Sequence, residues 1–192
     1  MSRTEVWLKP SKSPYTLLQK IRMATWWFVE ALLFRPSLHK MVAWRNMLLR
    51  IFGAKIGKGS SVHQKAKIWF PWNLEMGENS SIAFDSLIYS LDKVVIGDFV
   101  SVSHRVHVNT GSHDYSDPCF ALKTSPVTIG SGSFIGTDVF INMGVTVGDM
   151  VVVGARSVVV KDLPANMICF GHPCRPVKLR VRTPERGANS ER

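Results

Sequence analysis

The side chains best able to move a proton, hold a metal or attack a carbonyl are six histidines and three cysteines among 192 residues. His113 is singled out by position. It ends the run Thr110-Gly111-Ser112-His113, where a regular pattern of aliphatic residues gives way to an insertion at 114–126 that holds Pro118 and Pro126. An imidazole titrates near neutrality, so it can take the proton of a hydroxyl whose oxygen attacks a carbonyl, a role that supplies roughly 10² to 10⁴ in rate. A histidine considered alone is more often structural. Asn109 and Asp114 flank His113 and carry oxygens able to orient its ring. His104, His107 and His113 together raise the alternative of a three-histidine zinc site. His104 and His107 take different places in one repeat and should point along different faces, so no metal is expected. Cys119, Cys169 and Cys174 are too few and too unevenly spaced for a disulfide framework or a zinc site. Their odd number suits a reducing compartment.

What must position His113 is a period of six. From Ile129 every sixth residue is aliphatic: Ile129, Ile135, Ile141, Val147, Val153, Val159. Glycine follows at 130, 136, 148 and 154, and a small or β-branched residue stands four places after each aliphatic, as at Ser133 and Val139. The same phase runs earlier through Ile56, Val62 and Ile68, then Met76, Ile82, Ile88 and Val94, then Ile96, Val102 and Val108. Neither a helix nor a strand repeats at six. A short strand plus a tight turn does, and three such units close a triangular coil of about 18 residues. The aliphatic residues then point inward and stack, the coils pair as parallel strands, and glycine is expected to permit the turn conformation. About six coils fit between Ile56 and Val160. The insertion reads as a loop extruded from one edge, where rigid scaffolds commonly carry function.

The first 53 residues read differently. Residues 15–34 and 38–52 have helical character around Arg35-Pro36-Ser37, with Ser37 as N-cap of the second helix and Gly53 closing it. Leu17, Leu18, Ile21, Ala24, Trp27, Phe28, Ala31 and Leu32 make an apolar stripe, widened by Trp26 and Phe34. Two roles stay open for it: capping the coil or meeting a second subunit, and lying on a membrane with tryptophan and basic residues at headgroup depth. Residues 23–34 are interrupted by Glu30 and too short to span a bilayer. No small-residue cleavage site follows them, so the expectation is a cytoplasmic protein, with peripheral contact at the inner face of the membrane if the second of those roles holds. The net charge of +10 gathers towards the two ends, which suits a phosphorylated cofactor or a lipid surface. No nucleic-acid-binding motif accompanies it. The division expected is a helical segment at 1–53, a coil domain at 54–178 and a basic, flexible tail at 179–192.

The hexads, the segment Thr110-Gly111-Ser112-His113-Asp114-Tyr115, the extruded loop and the ending Gly171-His172-Pro173-Cys174-Arg175-Pro176 resemble the hexapeptide-repeat acetyltransferases, built on a left-handed parallel β-helix. Within that family the chain is similar to the galactoside, maltose and nodulation-factor O-acetyltransferases, and in particular to the colanic-acid-biosynthesis group. That likeness reaches Arg35-Pro36 and Phe52-Gly53-Ala54-Lys55-Ile56-Gly57. Galactoside-type enzymes lack the serine between glycine and histidine, whereas the colanic-acid type has it. The resemblance implies a mainly β fold, acetyl-CoA as co-substrate, a sugar hydroxyl as acceptor in exopolysaccharide or surface-glycan synthesis, and a homotrimer with sites between subunits. It implies His113 as general base in a direct transfer, without an acyl-enzyme. It also implies the Thr137 amide at the thioester carbonyl, Ala155 at the pantetheine arm, Lys161, Arg175 and Lys178 near the nucleotide phosphates, and Asp85, Tyr89 and Asp92 around the acceptor. Phe134 and Val160 stand where Trp and Thr are common, and the lost hydroxyl is expected to weaken coenzyme binding modestly.

Other readings share this coil. An N-acetyltransferase acting on an amino sugar would use the same base, and a non-catalytic scaffold would use none. A γ-type carbonic anhydrase needs the three-histidine zinc site discounted above. A sugar nucleotidyltransferase needs a preceding nucleotide-binding domain that 53 helical residues cannot supply.

Overall fold

Three parallel sheets form the sides of a triangular prism in the computed structural model, which describes residue 9 and residues 13–181. The first side stacks Lys55–Ile56, Leu74–Met76, Val94–Ile96, Val127–Ile129 and Thr146–Val147. The second runs from Ser61–Val62 through Ser81–Ile82, Ser101–Val102, Phe134–Ile135 and Val152–Val153 to Met167–Gly171, with Cys174–Leu179 added antiparallel. The third holds Lys67–Ile68, Leu87–Tyr89, His107–Asn109, Phe140–Ile141 and Val158–Val159. This is a left-handed β-helix of about six turns, and the six-residue period accounts for its triangular coils. The hexad aliphatics are its core: Val62, Ile88, Ile135 and Val153 have no exposed surface.

The breaks between hexad runs have one cause. On the first side Ile56 stacks on Met76 and Met76 on Ile96, so these coils take 20 residues each. Both Leu74 and Met76, and both Val94 and Ile96, point inward. The extra residues collect at the corner between third and first sides, and the 114–126 insertion leaves from that same corner.

The glycines that follow the aliphatics are not there for turn conformation. The left-handed turn positions belong instead to Asn79, Asp85, Phe99, Arg105, Asp138, Met150 and Arg156, with φ between 53° and 59°, and to other glycines, Gly59, Gly132 and Gly144. Gly57, Gly97 and Gly130 lie under the next coil, and a Cβ on Gly97 would sit 2.7 Å from the Ser131 nitrogen. Glycine is required by backbone approach, not by φ.

Helix α1 (Leu17–Val29) starts at a capping box of Thr16 and Gln19 and runs on as a π-helical turn, Glu30–Phe34. Helix α2 (Val42–Ile51) starts at Met41 without a side-chain cap. Ser37 is therefore not its N-cap: its hydroxyl donates to the Phe34 carbonyl at 2.6 Å, and the chain turns for four more residues before the helix starts. Gly53, at φ 98°, closes α2 as expected.

These helices close the bottom of the prism by hydrogen bonds as well as by packing. The strand N–H groups of each coil donate upward to the next, which leaves the strand carbonyls of Ile56, Val62 and Ile68 in the lowest coil without a partner in the solenoid. Arg50 donates to Ile56 O, Arg45 to Val62 O and the Trp26 indole to Ile68 O, one for each side. Trp26, Phe34 and Leu49 are fully buried in doing so. The stripe read from the sequence is largely the opposite face of α1: Leu17, Leu18, Ile21, Phe28 and Leu32 are exposed, Leu18 by 77%. Of the basic tail expected at 179–192, residues 182–192 lie outside the described residues.

Candidate functional site

The 114–126 loop is anchored by two strands that leave the corner together. Gly111–His113 pairs antiparallel with Leu122–Thr124, setting His113 opposite Leu122. Thr110, fully buried, is the pivot: its hydroxyl donates to Tyr89 O at 2.8 Å and accepts from Asp92 N at 2.9 Å. Gly111 sits over Leu91, whose methyl would lie 2.5 Å from any added Cβ.

The His113 ring is exposed and stacks on Phe120 at 4.7 Å between centroids. Its Nδ1 is 2.7 Å from the Phe120 carbonyl oxygen. A carbonyl can only accept, so this contact assigns the proton to Nδ1 and leaves the Nε2 lone pair facing outward, the tautomer a base needs. The orienting group is thus a backbone carbonyl, not Asn109 or Asp114. Asn109 accepts from Gly111 N, while Asp114 accepts from the Ser116 hydroxyl and amide and pairs with Lys123. Nothing in the residue type of Phe120 signals this role, because every residue has the same carbonyl.

The expected acceptor residues separate. Tyr89 and Asp92 lie on the His113 corner, one coil below it. Asp92 closes a turn, its carboxylate accepting from Lys93 N at 2.7 Å. Asp85 lies in the turn at the next corner, between second and third sides. A cavity of about 370 Å³ opens on the His113 edge between α1 and the lower coils, lined by Tyr15, Gln19, Arg22, Phe70, Trp72 and Leu91. Leu91 joins this cavity to the hairpin that bears His113.

Thr137 and Ala155 occupy equivalent places in successive coils, at the corner between second and third sides. Neither N–H has an acceptor among the described residues. Two free amides roughly 4.8 Å apart along an edge can pair with a linear ligand that carries carbonyls. Gly136 is crowded from above: an added Cβ would lie 2.7 Å from the Ala155 nitrogen. Above, Lys161, Arg175 and Lys178 are exposed, and none forms an ion pair among the described residues. One chain thus carries the His113 ring along one edge, with Lys161 at the top of that same edge, and the two free amides along another, with Arg175 opposite Phe170 above them. It does not bring them together.

Among the described residues no group of three or more His, Cys, Asp or Glu is arranged to hold a metal ion, and no helix is long and apolar enough to cross a membrane. No family model matches the chain. It is 41% identical over 163 residues to the protein named "Putative colanic acid biosynthesis acetyltransferase WcaF" of Escherichia coli, covering 85% of this chain and 90% of that one. A maltose O-acetyltransferase from Clostridium difficile superposes with a TM-score of 0.79 and 31% identity, over 87% of this chain and 90% of that one. A hexapeptide-repeat-containing acetyltransferase from Vibrio cholerae, solved with acetyl coenzyme A, gives a TM-score of 0.81 and 25% identity, over 95% and 100%.

Proposed function

The chain belongs to the hexapeptide-repeat acetyltransferases, and from that membership we propose that it moves an acetyl group from acetyl-CoA to a sugar hydroxyl, with His113 as general base. The observation that carries the assignment of the base is the contact between His113 Nδ1 and Phe120 O. His113 takes the hydroxyl proton at Nε2 as the oxygen bonds to the thioester carbonyl carbon. The carbon–sulfur bond breaks, and His113 returns the proton to the departing sulfur. The Thr137 amide holds the carbonyl oxygen, where a preorganised donor is worth most. Ala155 N–H takes the pantetheine arm, and Lys161, Arg175 and Lys178 neutralise the nucleotide phosphates.

His113 and the free amides of Thr137 and Ala155 lie on different edges, so we assign the complete site to two chains of a homotrimer, the His113 edge of one beside the Thr137 edge of the next. Tyr89 and Asp92 serve the acceptor from the first chain and Asp85 from the second. Residues 54–178 form the transferase domain, and the helices of the segment 1–53, from Leu17 to Ile51, are its cap. The relative's name, colanic acid biosynthesis, supports an exopolysaccharide or surface glycan as the acceptor. The outward face of α1, with nine Lys or Arg against two Glu in residues 1–53, suits peripheral contact with the inner face of an anionic membrane from the cytoplasm. Co-sedimentation with anionic but not neutral vesicles, lost in the pair Leu18→Gln and Phe28→Gln, is the expected result, and retention by that pair would sink the membrane contact.

The central test is an acceptor screen with acetyl-CoA. His113→Ala should lose roughly 10² to 10⁴ in kcat while calorimetry shows coenzyme binding unchanged. Near-native turnover in His113→Ala removes the base from the proposal. An amino sugar accepted in preference to hydroxyl acceptors would shift the reading to N-acetylation through the same base.

A further inference from the structure

The turn below Thr137 holds an arrangement that the reaction as described does not use. His104 stacks flat on Phe84, with centroids 4.8 Å apart and planes within 5°. Its Cε1 edge faces two hydroxyls: Nδ1 is 3.3 Å from Ser103 Oγ, and Nε2 is 3.2 Å from Thr137 Oγ1. The two hydroxyls are 3.1 Å from each other. The two hydroxyls and the imidazole therefore lie within hydrogen-bond distance of one another, with a hydroxyl proton available to a ring nitrogen. The neighbouring residue is held from the same turn: Arg105 grips Asp138 with two hydrogen bonds, at 2.7 and 3.0 Å, and Asp138 N donates to His104 O. The equivalent place one coil higher is Ala155, whose methyl can take no such hold.

We infer that Ser103, His104 and Arg105 fix the aim of the Thr137 amide, and that His104 is a positioning residue for acyl transfer; this rests on the assignment of that amide to the thioester carbonyl. A donor aimed before the reaction costs no reorganisation when charge develops on the carbonyl oxygen. The Thr137 hydroxyl, tied to the coil below, fixes both its side chain and the turn that presents its N–H. Cutting that tie lets the amide drift, and a misplacement of about 1 Å can cost on the order of 10²-fold in rate.

Acetyl-CoA hydrolysis by water, followed as released thiol, reads this without a known sugar acceptor. The variants are His104→Ala, His104→Gln, Thr137→Val and Thr137→Ser, with His113→Ala as control. His104→Ala and Thr137→Val should each lower kcat by roughly 10- to 100-fold with the Kd for coenzyme A unchanged. Thr137→Ser and His104→Gln, which keep a hydrogen-bonding group in place, should recover most of the loss. A merely structural role would move melting temperature and Kd together and show no such rescue. A folded His104→Ala with native kcat overturns the inference, as does a loss confined to Kd. Should His104→Ala fail to fold, the nearly isosteric Thr137→Val and its serine counterpart decide the question from the other end of the network. If His113→Ala hydrolyses as fast as the native chain, the proposed reaction falls and this inference with it. If only the His104 and Thr137 variants are silent, the positioning role alone is lost.

Discussion

Asp114 does not hydrogen-bond to the His113 ring, yet it shapes the loop whose Phe120 carbonyl does. Its carboxyl is held down at about 2, chiefly by the Ser116 hydroxyl and amide and then by Lys123. A folded value below the unfolded one means that its contribution to loop order is complete above the ordinary carboxylate range and is lost only as pH falls through about 2. Across the neutral range Asp114 is therefore always charged and always engaged. Asp114→Asn should loosen the 114–123 turn, leave the melting temperature unchanged and lower kcat by less than the roughly 10²-fold of a full 1 Å misplacement. Steady-state rates between pH 6 and 9 check it; a fall as deep as that of His113→Ala would give the carboxylate a chemical role after all. The sequence shows why Asp114 was an attractive orienter and also why it is not one. Adjacency along the chain singles out Asp114, but antiparallel pairing turns successive residues to opposite faces and brings Phe120, seven residues on, under the ring. His113 is legible because it stands at a break in a period; the carbonyl that orients it carries no residue code.

At the scale of elements, what the sequence spells out is whatever repeats. Six-residue spacing gives the coils, the inward rows and the point where the loop leaves. It does not say why glycine follows each aliphatic, because crowding from the coil above involves residues 15 to 34 positions away. Two substitutions separate crowding from turn conformation. Gly97→Ala meets the Ser131 backbone and should cost about 1–3 kcal/mol or more in urea titrations. Phe99→Asn, at a position with φ 54° and 67% exposure, should be neutral or gain up to about 1 kcal/mol. Equal effects at both sites would restore the turn explanation. The orientation of the helices is not spelled out, since α1 has apolar residues on both faces. The longer stripe is the outward one, and the buried face reads Trp26, Glu30, Phe34, with a carboxyl in the middle that burial pushes upward in pKa. Arg45 tests what that cap contributes. It is 1% exposed and donates to Val62 O, Leu38 O and His39 O. Arg45→Met keeps much of its length but strands those acceptors, at about 1–3 kcal/mol for each left unpaired and buried. Native stability in that variant would mean that the lowest coil needs no hydrogen-bonded cap.

For the whole molecule the decisive fact is that His113 and the free amides of Thr137 and Ala155 lie on different edges of one prism. If each site is built by two chains of a cyclic trimer, the interface is heterologous, and every chain gives its His113 edge to one neighbour and its Thr137 edge to the other. Two kinds of dead chain can then rescue each other. His113→Ala destroys the base and leaves the track; Ala155→Trp, at an exposed position, leaves the base and fills the track. Unfolded together, mixed equally and refolded, they form trimers in which a site works only where an Ala155→Trp chain gives its His113 edge to the Thr137 edge of a His113→Ala chain. Random assortment makes that about one interface in four. Activity should return to about a quarter of the native value from two preparations with almost none, and mixing without refolding should return nothing. If each chain holds a whole site, each hybrid chain still bears its own lesion, and activity stays near zero at every mixing ratio. The mixing ratio sharpens the result, because working interfaces vary as the product of the two fractions and so peak at equal amounts.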